Sequence, residues 1–99
     1  MAAKVDPEVV KEKRNQNDTE ILDVRTKEEV EEGMIPNAHH IPLDQVEEEM
    51  NQLDKDTEYI TVCGSGKRAD KAADLLNENG YQAKTLEGGM QAWDGEVTK

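Results

Sequence analysis

The sequence predicts an α/β fold, with a central parallel sheet flanked by helices on both faces. Short apolar runs typical of buried strands alternate along the chain with segments of helical periodicity. Such alternation favours right-handed crossovers between parallel strands. No internal repeat or linker interrupts the order, so residues 1–99 are expected to form a single domain.

Composition limits the core and the partners. The 99 residues include 34% hydrophobic ones and only three aromatic side chains, so the core is expected to consist mainly of aliphatic residues. Charged residues make up 35% of the chain, and the formal net charge is −11. This charge argues against nucleic acid or an anionic membrane surface as the main partner.

Cysteine usage and hydropathy indicate a soluble cytoplasmic protein. The chain has one cysteine, which cannot form an internal disulfide and therefore fits a reducing compartment. No apolar stretch approaches the length needed to span a bilayer, and no hydrophobic segment of the signal-peptide type follows Met1.

The first predicted elements are a helix and a buried strand. Asp6 before Pro7 is a typical helix start, with a capping side chain and proline at the first helical position. Residues 19–24 then form a short run with strand propensity that is too apolar in its middle for a solvated edge. Asp23 and Arg25 should emerge from the carboxyl end of this strand.

A second helix is predicted directly after that strand. Thr26 and Glu29 have the spacing of a capping box, which starts a helix over Lys27 to Glu32. Gly33 supplies the left-handed residue that ends it.

Adjacent histidines follow in a brief predicted strand over His39-His40-Ile41. Two neighbouring imidazoles suggest a metal site, yet consecutive strand residues point to opposite faces and cannot easily chelate one ion. Nothing else in the chain supplies the ligand spacing of a metal centre, so no metal is expected.

The remaining elements alternate helix and strand to the end of the chain. Apolar residues at helical spacing predict a helix with an acidic outer face over Leu43 to Leu53. After a strand at Tyr59 to Val62, a helix beginning near Arg68 ends at Asn79-Gly80. A strand over Tyr81 to Leu86 and a glycine turn lead into a last short helix, whose tryptophan is interpreted as a core residue: Trp93.

The chain is organised around Cys63, which ends the apolar run Tyr59 to Val62 just before a helix. Such a strand–loop–helix junction aims backbone N–H groups and the positive end of the helix dipole at one point. The loop between them consists of small and cationic residues: Gly64, Ser65, Gly66, Lys67 and Arg68. Glycines allow successive N–H groups to turn inward, and the cations favour a thiolate. The simpler interpretation of Cys63 is that it has no chemical role and is a small apolar residue at the end of a buried strand.

Residue spacing argues against three other interpretations of this loop. A nucleotide-binding P-loop needs a glycine where Thr61 stands and Ser or Thr where Arg68 stands. A cysteine phosphatase needs five residues between Cys and Arg to encircle phosphate, whereas four lie between Cys63 and Arg68. A dithiol redox pair needs a second cysteine at Gly66. The loop from Cys63 to Arg68 is one residue shorter than a phosphatase loop, and it suits a single sulfur atom better than a phosphate group.

The chain resembles single-domain rhodaneses, which are sulfurtransferases. Four motifs in register from about Val5 to Trp93 carry the resemblance: Ile21-Leu22-Asp23-Val24-Arg25 with Glu28 and Glu29; Gly33 to Ala38 with Ile41-Pro42; Cys63 to Ala69; and Leu86 to Trp93.

The resemblance implies the predicted parallel sheet and a cofactor-free sulfur transfer. Cys63 would take a sulfane sulfur as a persulfide and pass it to an external acceptor, which is cyanide, a thiol or a protein. The N–H groups from Gly64 to Arg68 would cradle the persulfide, and Arg68 would fix the loop or contact the donor anion. Asp23 and Arg25 would brace the neighbouring strand end.

Two residues depart from the family pattern. Met34 replaces a histidine found in many members, and Gly64 stands where many carry a side chain, often arginine, that faces an anionic donor. A polysulfide or a low-molecular-weight or protein persulfide is therefore as good a candidate donor as thiosulfate. Two other functions stay open, a sulfur-carrier or protein-binding module without turnover, and a phosphatase or arsenate reductase.

Overall fold

One five-stranded parallel sheet forms the centre of the protein. The computed structural model describes residues 2–99. The strands are β1 (Lys4–Val5), β2 (Thr19–Asp23), β3 (His39–His40), β4 (Glu58–Val62) and β5 (Gln82–Leu86). Their order across the sheet is β1-β5-β4-β2-β3, and every neighbouring pair is parallel. The predicted α/β class is confirmed.

Within the described residues, five α-helices connect and cover the strands. They are α1 (Pro7–Lys13), α2 (Lys27–Glu31), α3 (Val46–Glu49), α4 (Lys67–Glu78) and α5 (Gly89–Ala92). The capping signals hold: the Asp6 side chain accepts from the Glu8 N–H group, and Thr26 with Glu29 makes both bonds of a capping box. Within residues 2–99, no helix is long and apolar enough to cross a membrane.

The core has two parts, one on each face of the sheet. On one face, the alanine-rich side of α4 packs with Val46 of α3 and Leu22 of β2. On the other face, Val10 of α1 packs with Ile21 and with Trp93, which follows α5. Because neighbouring strand residues point to opposite faces, Ile21 and Leu22 belong to different core clusters. Trp93 is buried, as predicted.

The predicted helix over Leu43 to Leu53 is wrong as a continuous element. The structure has a 3-10 turn (Leu43–Gln45), the four-residue α3 and a second 3-10 turn (Met50–Gln52). No side chain caps any of the three pieces, so nothing at their ends stabilises one continuous helix. The apolar periodicity nevertheless identified buried residues, since Val46, Met50 and Leu53 all belong to the core.

Strand β1 is absent from the sequence prediction. Two residues are too short to show alternation, and the strand is recognisable only by its pairing, in which Lys4 aligns with Thr85 and Val5 with Leu86. Other predicted boundaries differ from the structure by one residue, as at the start of α4, where Lys67 precedes the predicted Arg68.

Candidate active site

Cys63 lies at the carboxyl edge of the sheet, directly after β4. Its residue surface is fully buried, and it belongs to the core cluster that packs beneath α4. The chain then turns through Gly66, whose φ of 108° is in the left-handed region that glycine adopts without strain. Helix α4 begins at the next residue, so the predicted strand–loop–helix junction is present.

Two backbone N–H groups point at the sulfur of Cys63. The Gly66 N–H group donates to Sγ at 3.0 Å, and the Ala69 N–H group donates at 3.3 Å. Ala69 occupies the third position of α4, where an N–H group has no partner within the helix and normally bonds a capping side chain. Gly66, the capping residue, has no side chain, so the sulfur takes that place.

This arrangement favours negative charge on the sulfur. Both donors belong to the amino-terminal end of α4, a twelve-residue helix whose dipole is positive there. Gly66 lies within the predicted loop, whereas Ala69 lies one residue beyond it and is a contact that sequence reasoning missed. The geometry suits a thiolate, or a charged sulfur attached to it, without a histidine base.

Helix α5 supports the loop through hydrogen bonds to its backbone. The Met90 N–H group donates to the Cys63 carbonyl at 2.8 Å, and the Gln91 N–H group donates to the Gly64 carbonyl at 3.0 Å. The close approach requires glycine at position 89, where φ is 62° and an added Cβ would lie 2.6 Å from the Gly64 carbonyl oxygen. The glycine turn that begins α5 therefore helps to hold the sulfur in place.

Arg68 is held by Glu29 of α2. Nη1 donates to Oε1 at 2.7 Å and Nη2 donates to Oε2 at 2.9 Å, the bidentate geometry that fits guanidinium to carboxylate. The hydrogen bonds from Arg68 lower the pKa of Glu29 to about 2, and Glu29 in turn raises the pKa of Arg68. Glu29 also accepts from the backbone and hydroxyl of Thr26, so one carboxylate joins the α2 cap to the loop.

Asp23 and Arg25 form a buried ion pair beside the loop. Arg25 Nη2 donates to Asp23 Oδ2 at 2.8 Å, and its Nε donates to Oδ1 at 3.0 Å. The same guanidinium donates to the Gly33 carbonyl at 2.7 Å and to the Glu29 carbonyl at 3.4 Å. Arg25 thus ties the end of β2 to α2 and fixes the helix that carries Glu29. These contacts are compatible with the bracing role that the resemblance implies for the pair, and that role stays a prediction.

The remaining loop residues do not converge on the sulfur. Ser65 and Lys67 are exposed, and both line a small depression of about 160 Å³ that also includes Lys4 of β1. Gly64 is open, since an added Cβ would have Arg68 Nη2 at 3.5 Å as its nearest neighbour. Of the two predicted loop cations, Arg68 is neutralised by Glu29, and Lys67 forms no ion pair with any residue in 2–99.

The two histidines have separate partners. His40 Nε2 lies 2.7 Å from the Arg25 carbonyl, and His39 Nδ1 lies 3.4 Å from Glu20 Oε1. Across the described residues 2–99, no cluster of three or more His, Cys, Asp or Glu side chains has the arrangement of a metal site.

Comparison with known families identifies the domain family. Residues 6–96 match the rhodanese-like domain family. The chain belongs to this family. The resemblance inferred from the four motifs is therefore confirmed, and the rhodanese-like domain covers nearly the whole chain.

Three bacterial proteins are among the curated relatives of this rhodanese-like domain. The chain is 48% identical over 77 residues to "Putative sulfurtransferase YtwF" of Bacillus subtilis, covering 78% of this chain and 75% of the relative. It is 35% identical over 77 residues to "Sulfurtransferase" of Allochromatium vinosum, covering 77% and 72% of the two chains. It is also 38% identical to "Putative sulfur carrier protein YrkF" of Bacillus subtilis, but spans 42% of that protein's length.

Solved structures of rhodanese-like domains superpose along almost the full chain. A rhodanese-like domain protein from Staphylococcus aureus matches with a TM-score of 0.89 and 37% identity, covering 97% of this chain and 96% of that chain. A rhodanese-related protein from Thermoplasma volcanium matches with a TM-score of 0.90 and 27% identity, covering 97% of both chains.

Proposed function

We propose that the protein is a sulfurtransferase in which Cys63 carries a sulfane sulfur as a persulfide. The observation that carries this proposal is the pair of N–H donors, from Gly66 and Ala69, on the Cys63 sulfur at the start of α4. Relatives named as sulfurtransferases support it. The predicted single domain of residues 1–99 and its location in a reducing compartment such as the cytoplasm belong to the same proposal.

Loading is a displacement at the outer sulfur of the donor. With thiosulfate, the Cys63 thiolate attacks the sulfane sulfur, an S–S bond forms, the sulfur–sulfite bond breaks, and sulfite leaves with the electron pair. With polysulfide or a small organic persulfide, the leaving group is the shortened polysulfide or a thiolate. The amides that face Sγ act as a fixed anion site before attack and for the charged persulfide afterwards.

Release returns the sulfur to an external nucleophile. Cyanide, a small thiol or a cysteine of another protein attacks the outer sulfur and restores the Cys63 thiolate. The chain has no second cysteine that would displace the sulfur by forming an internal disulfide. The acceptor therefore determines whether the domain turns over as an enzyme.

The loop residues have different proposed roles. Gly66 donates to the sulfur, and Gly64 contributes no side chain that would select the donor. Arg68 is a positioning residue, because both of its terminal nitrogens are bound by Glu29. Asp23 and Arg25 position α2, the helix that carries Glu29, against the end of β2. Ser65 and Lys67 remain candidates for contact with an arriving sulfur donor, since both side chains are exposed on the Cys63 loop.

A sulfur-carrier module is the second candidate function. One relative is named as a sulfur carrier protein, although the chain spans less than half of it. A fully buried Cys63 also fits a sulfur that is handed over only when a partner protein docks. In that case the donor and the acceptor are proteins.

Intact mass spectrometry tests the persulfide directly. Incubation with thiosulfate, polysulfide or glutathione persulfide should add about 32 Da, the mass of one sulfur atom, and dithiothreitol should remove it. Cys63→Ser should show no gain, whereas Asp56→Asn, in the loop before β4, should still gain the sulfur. If none of the three donors modifies the protein, the sulfurtransferase proposal is wrong.

Turnover separates the enzyme from the carrier. An enzyme should produce many equivalents of thiocyanate from thiosulfate and cyanide per protein. A carrier should accept one sulfur and then release it to cyanide or free thiols far more slowly than it was loaded.

A further inference from the structure

A depression of about 410 Å³ lies beside the Cys63 loop, and we call it the α4 cleft. Three apolar residues, three charged residues and one threonine line it: Val24, Pro42, Leu43, Asp44, Arg68, Lys71 and Thr26. Val24 is in the same core cluster as Cys63, and Leu43 packs against that cluster. The cleft therefore opens on the face of the sheet where the sulfur lies, and its volume is within the range of small-molecule sites.

The α4 cleft contains one cation and one anion that lack ionic partners. Arg68 is already neutralised by Glu29. Neither Lys71 nor Asp44 forms a hydrogen bond through its side chain or an ion pair with any residue of the described part of the chain, and no ion pair joins the two. An apolar wall with one ammonium and one carboxylate fits a ligand that carries both charges on a short apolar chain.

We propose that the α4 cleft binds the zwitterionic head of an amino-acid thiol, of which cysteine is the simplest. In this arrangement, Lys71 binds the ligand's carboxylate and Asp44 binds its ammonium group. Val24 and Leu43 contact the carbon chain between the head and the sulfur. This inference deepens the proposed function and rests on it, because the ligand's sulfur must exchange with Cys63.

The transfer of one sulfur atom between the amino-acid thiol and Cys63 balances in both directions. In loading, the Cys63 thiolate attacks the outer sulfur of the amino-acid persulfide, the S–S bond of the donor breaks, and the amino-acid thiolate leaves. In release, the amino-acid thiolate attacks the outer sulfur on Cys63, and the Cys63 thiolate leaves. The same ligand head is bound in both steps, so either direction reports on the cleft.

Sulfur release to four thiols tests the recognition of each charge. The protein is first loaded with polysulfide, and its mass is checked for the added sulfur. Release is then timed with four thiols. Cysteine carries both charges, cysteamine carries only the ammonium group, mercaptopropionate carries only the carboxylate, and mercaptoethanol carries neither. Comparing each variant with the wild type for the same thiol cancels differences in the intrinsic reactivity of the thiols.

Each variant should affect only the thiols whose charge it binds. Lys71→Gln should slow release to cysteine and mercaptopropionate by about two- to fivefold, the range for a solvent-exposed ion pair. Asp44→Asn should slow release to cysteine and cysteamine by a similar factor. Both effects should shrink in high salt, because the paired charges are open to solvent.

Two variants at the opposite end of β4 control for net charge. Lys55→Gln and Asp56→Asn make the same charge changes in the loop before β4, away from the cleft, and should leave all four rates unchanged. Equal slowing of all four thiols by Lys71→Gln or Asp44→Asn would overturn the cleft assignment, as would no slowing at all. Failure of the wild type to load with polysulfide, thiosulfate or glutathione persulfide would overturn the underlying sulfurtransferase proposal instead.

Discussion

Arg68 and Glu29 join the Cys63 loop to a helix, because Glu29 lies 39 residues earlier in the chain. Both terminal nitrogens of the guanidinium donate to both carboxylate oxygens, at 2.7 and 2.9 Å. Glu29 is itself fixed by the cap of α2, and Arg25 holds that helix on the end of β2. The position of Arg68 therefore depends on three elements that meet at one edge of the sheet.

Acid should weaken the Arg68–Glu29 pair. The pKa of Glu29 is lowered from the ordinary 4.5 to about 2, so its stabilisation is complete above 4.5 and is lost as the pH falls towards 2. The free energy of unfolding of the wild type should exceed that of Glu29→Gln at neutral pH, with the difference shrinking towards pH 2. Urea unfolding across this range measures it.

The expected difference is modest, because the Glu29 side chain is 36% exposed. Solvent screening limits the contribution of such an ion pair to the free energy of unfolding to below about 1 kcal/mol. Glu28→Gln removes the same charge from the neighbouring position of α2 and should show no comparable change between neutral pH and pH 2. A constant difference between wild type and Glu29→Gln at all pH values would contradict the assigned pKa.

Breaking the buried Asp23–Arg25 pair should strongly destabilise the fold. The Asp23 and Arg25 residues are only 1% and 7% exposed, so removing either leaves a buried charge without its partner. Arg25→Met should cost about 3 to 5 kcal/mol of unfolding free energy. The double variant Asp23→Leu/Arg25→Met should recover part of this loss, since it leaves no unpaired charge. Equilibrium urea unfolding of both variants tests the pair, and a double variant less stable than Arg25→Met would contradict it.

Two glycines near Cys63 should respond differently to alanine. Gly89 has a φ of 62°, and its Cβ would overlap the carbonyls of Cys63 and Gly64, whereas a Cβ at Gly64 meets only ordinary contacts. Gly89→Ala should lower the melting temperature by roughly 10 °C or more, and Gly64→Ala by about 5 °C or less. Thermal unfolding monitored by circular dichroism makes the comparison, and equal shifts would count against the α5 support of the loop.

An arginine at position 64 should improve the use of thiosulfate. Space at Gly64 is open, and the neighbouring guanidinium of Arg68 is already neutralised by Glu29. Gly64→Arg should raise the rate of sulfur loading from thiosulfate several-fold at low ionic strength, with the gain lost in high salt. Gly64→Gln is the control for side-chain size. A similar gain in Gly64→Gln would refute the electrostatic explanation.

Local signals in the sequence were sufficient for most of the fold. Strands β2 and β4, the cap at Thr26 and the glycine end of α4 depend on neighbouring residues, and each is found near its predicted place. The helix predicted over Leu43 to Leu53 failed because apolar periodicity reports burial, and burial is compatible with 3-10 turns. Strand β1 exists only through its pairing with β5, which no two-residue pattern indicates.

The sequence by itself determined the α/β class, the family resemblance and the junction that places Cys63 before a helix. The tertiary structure decided which groups surround the loop: the Ala69 amide donates to the sulfur, the α5 amides donate to the carbonyls of Cys63 and Gly64, and Glu29 binds Arg68. Residue spacing can reveal a turn and a cap, because both are local. Contacts between residues distant along the chain become visible only when the parallel strands bring their carboxyl ends to one edge.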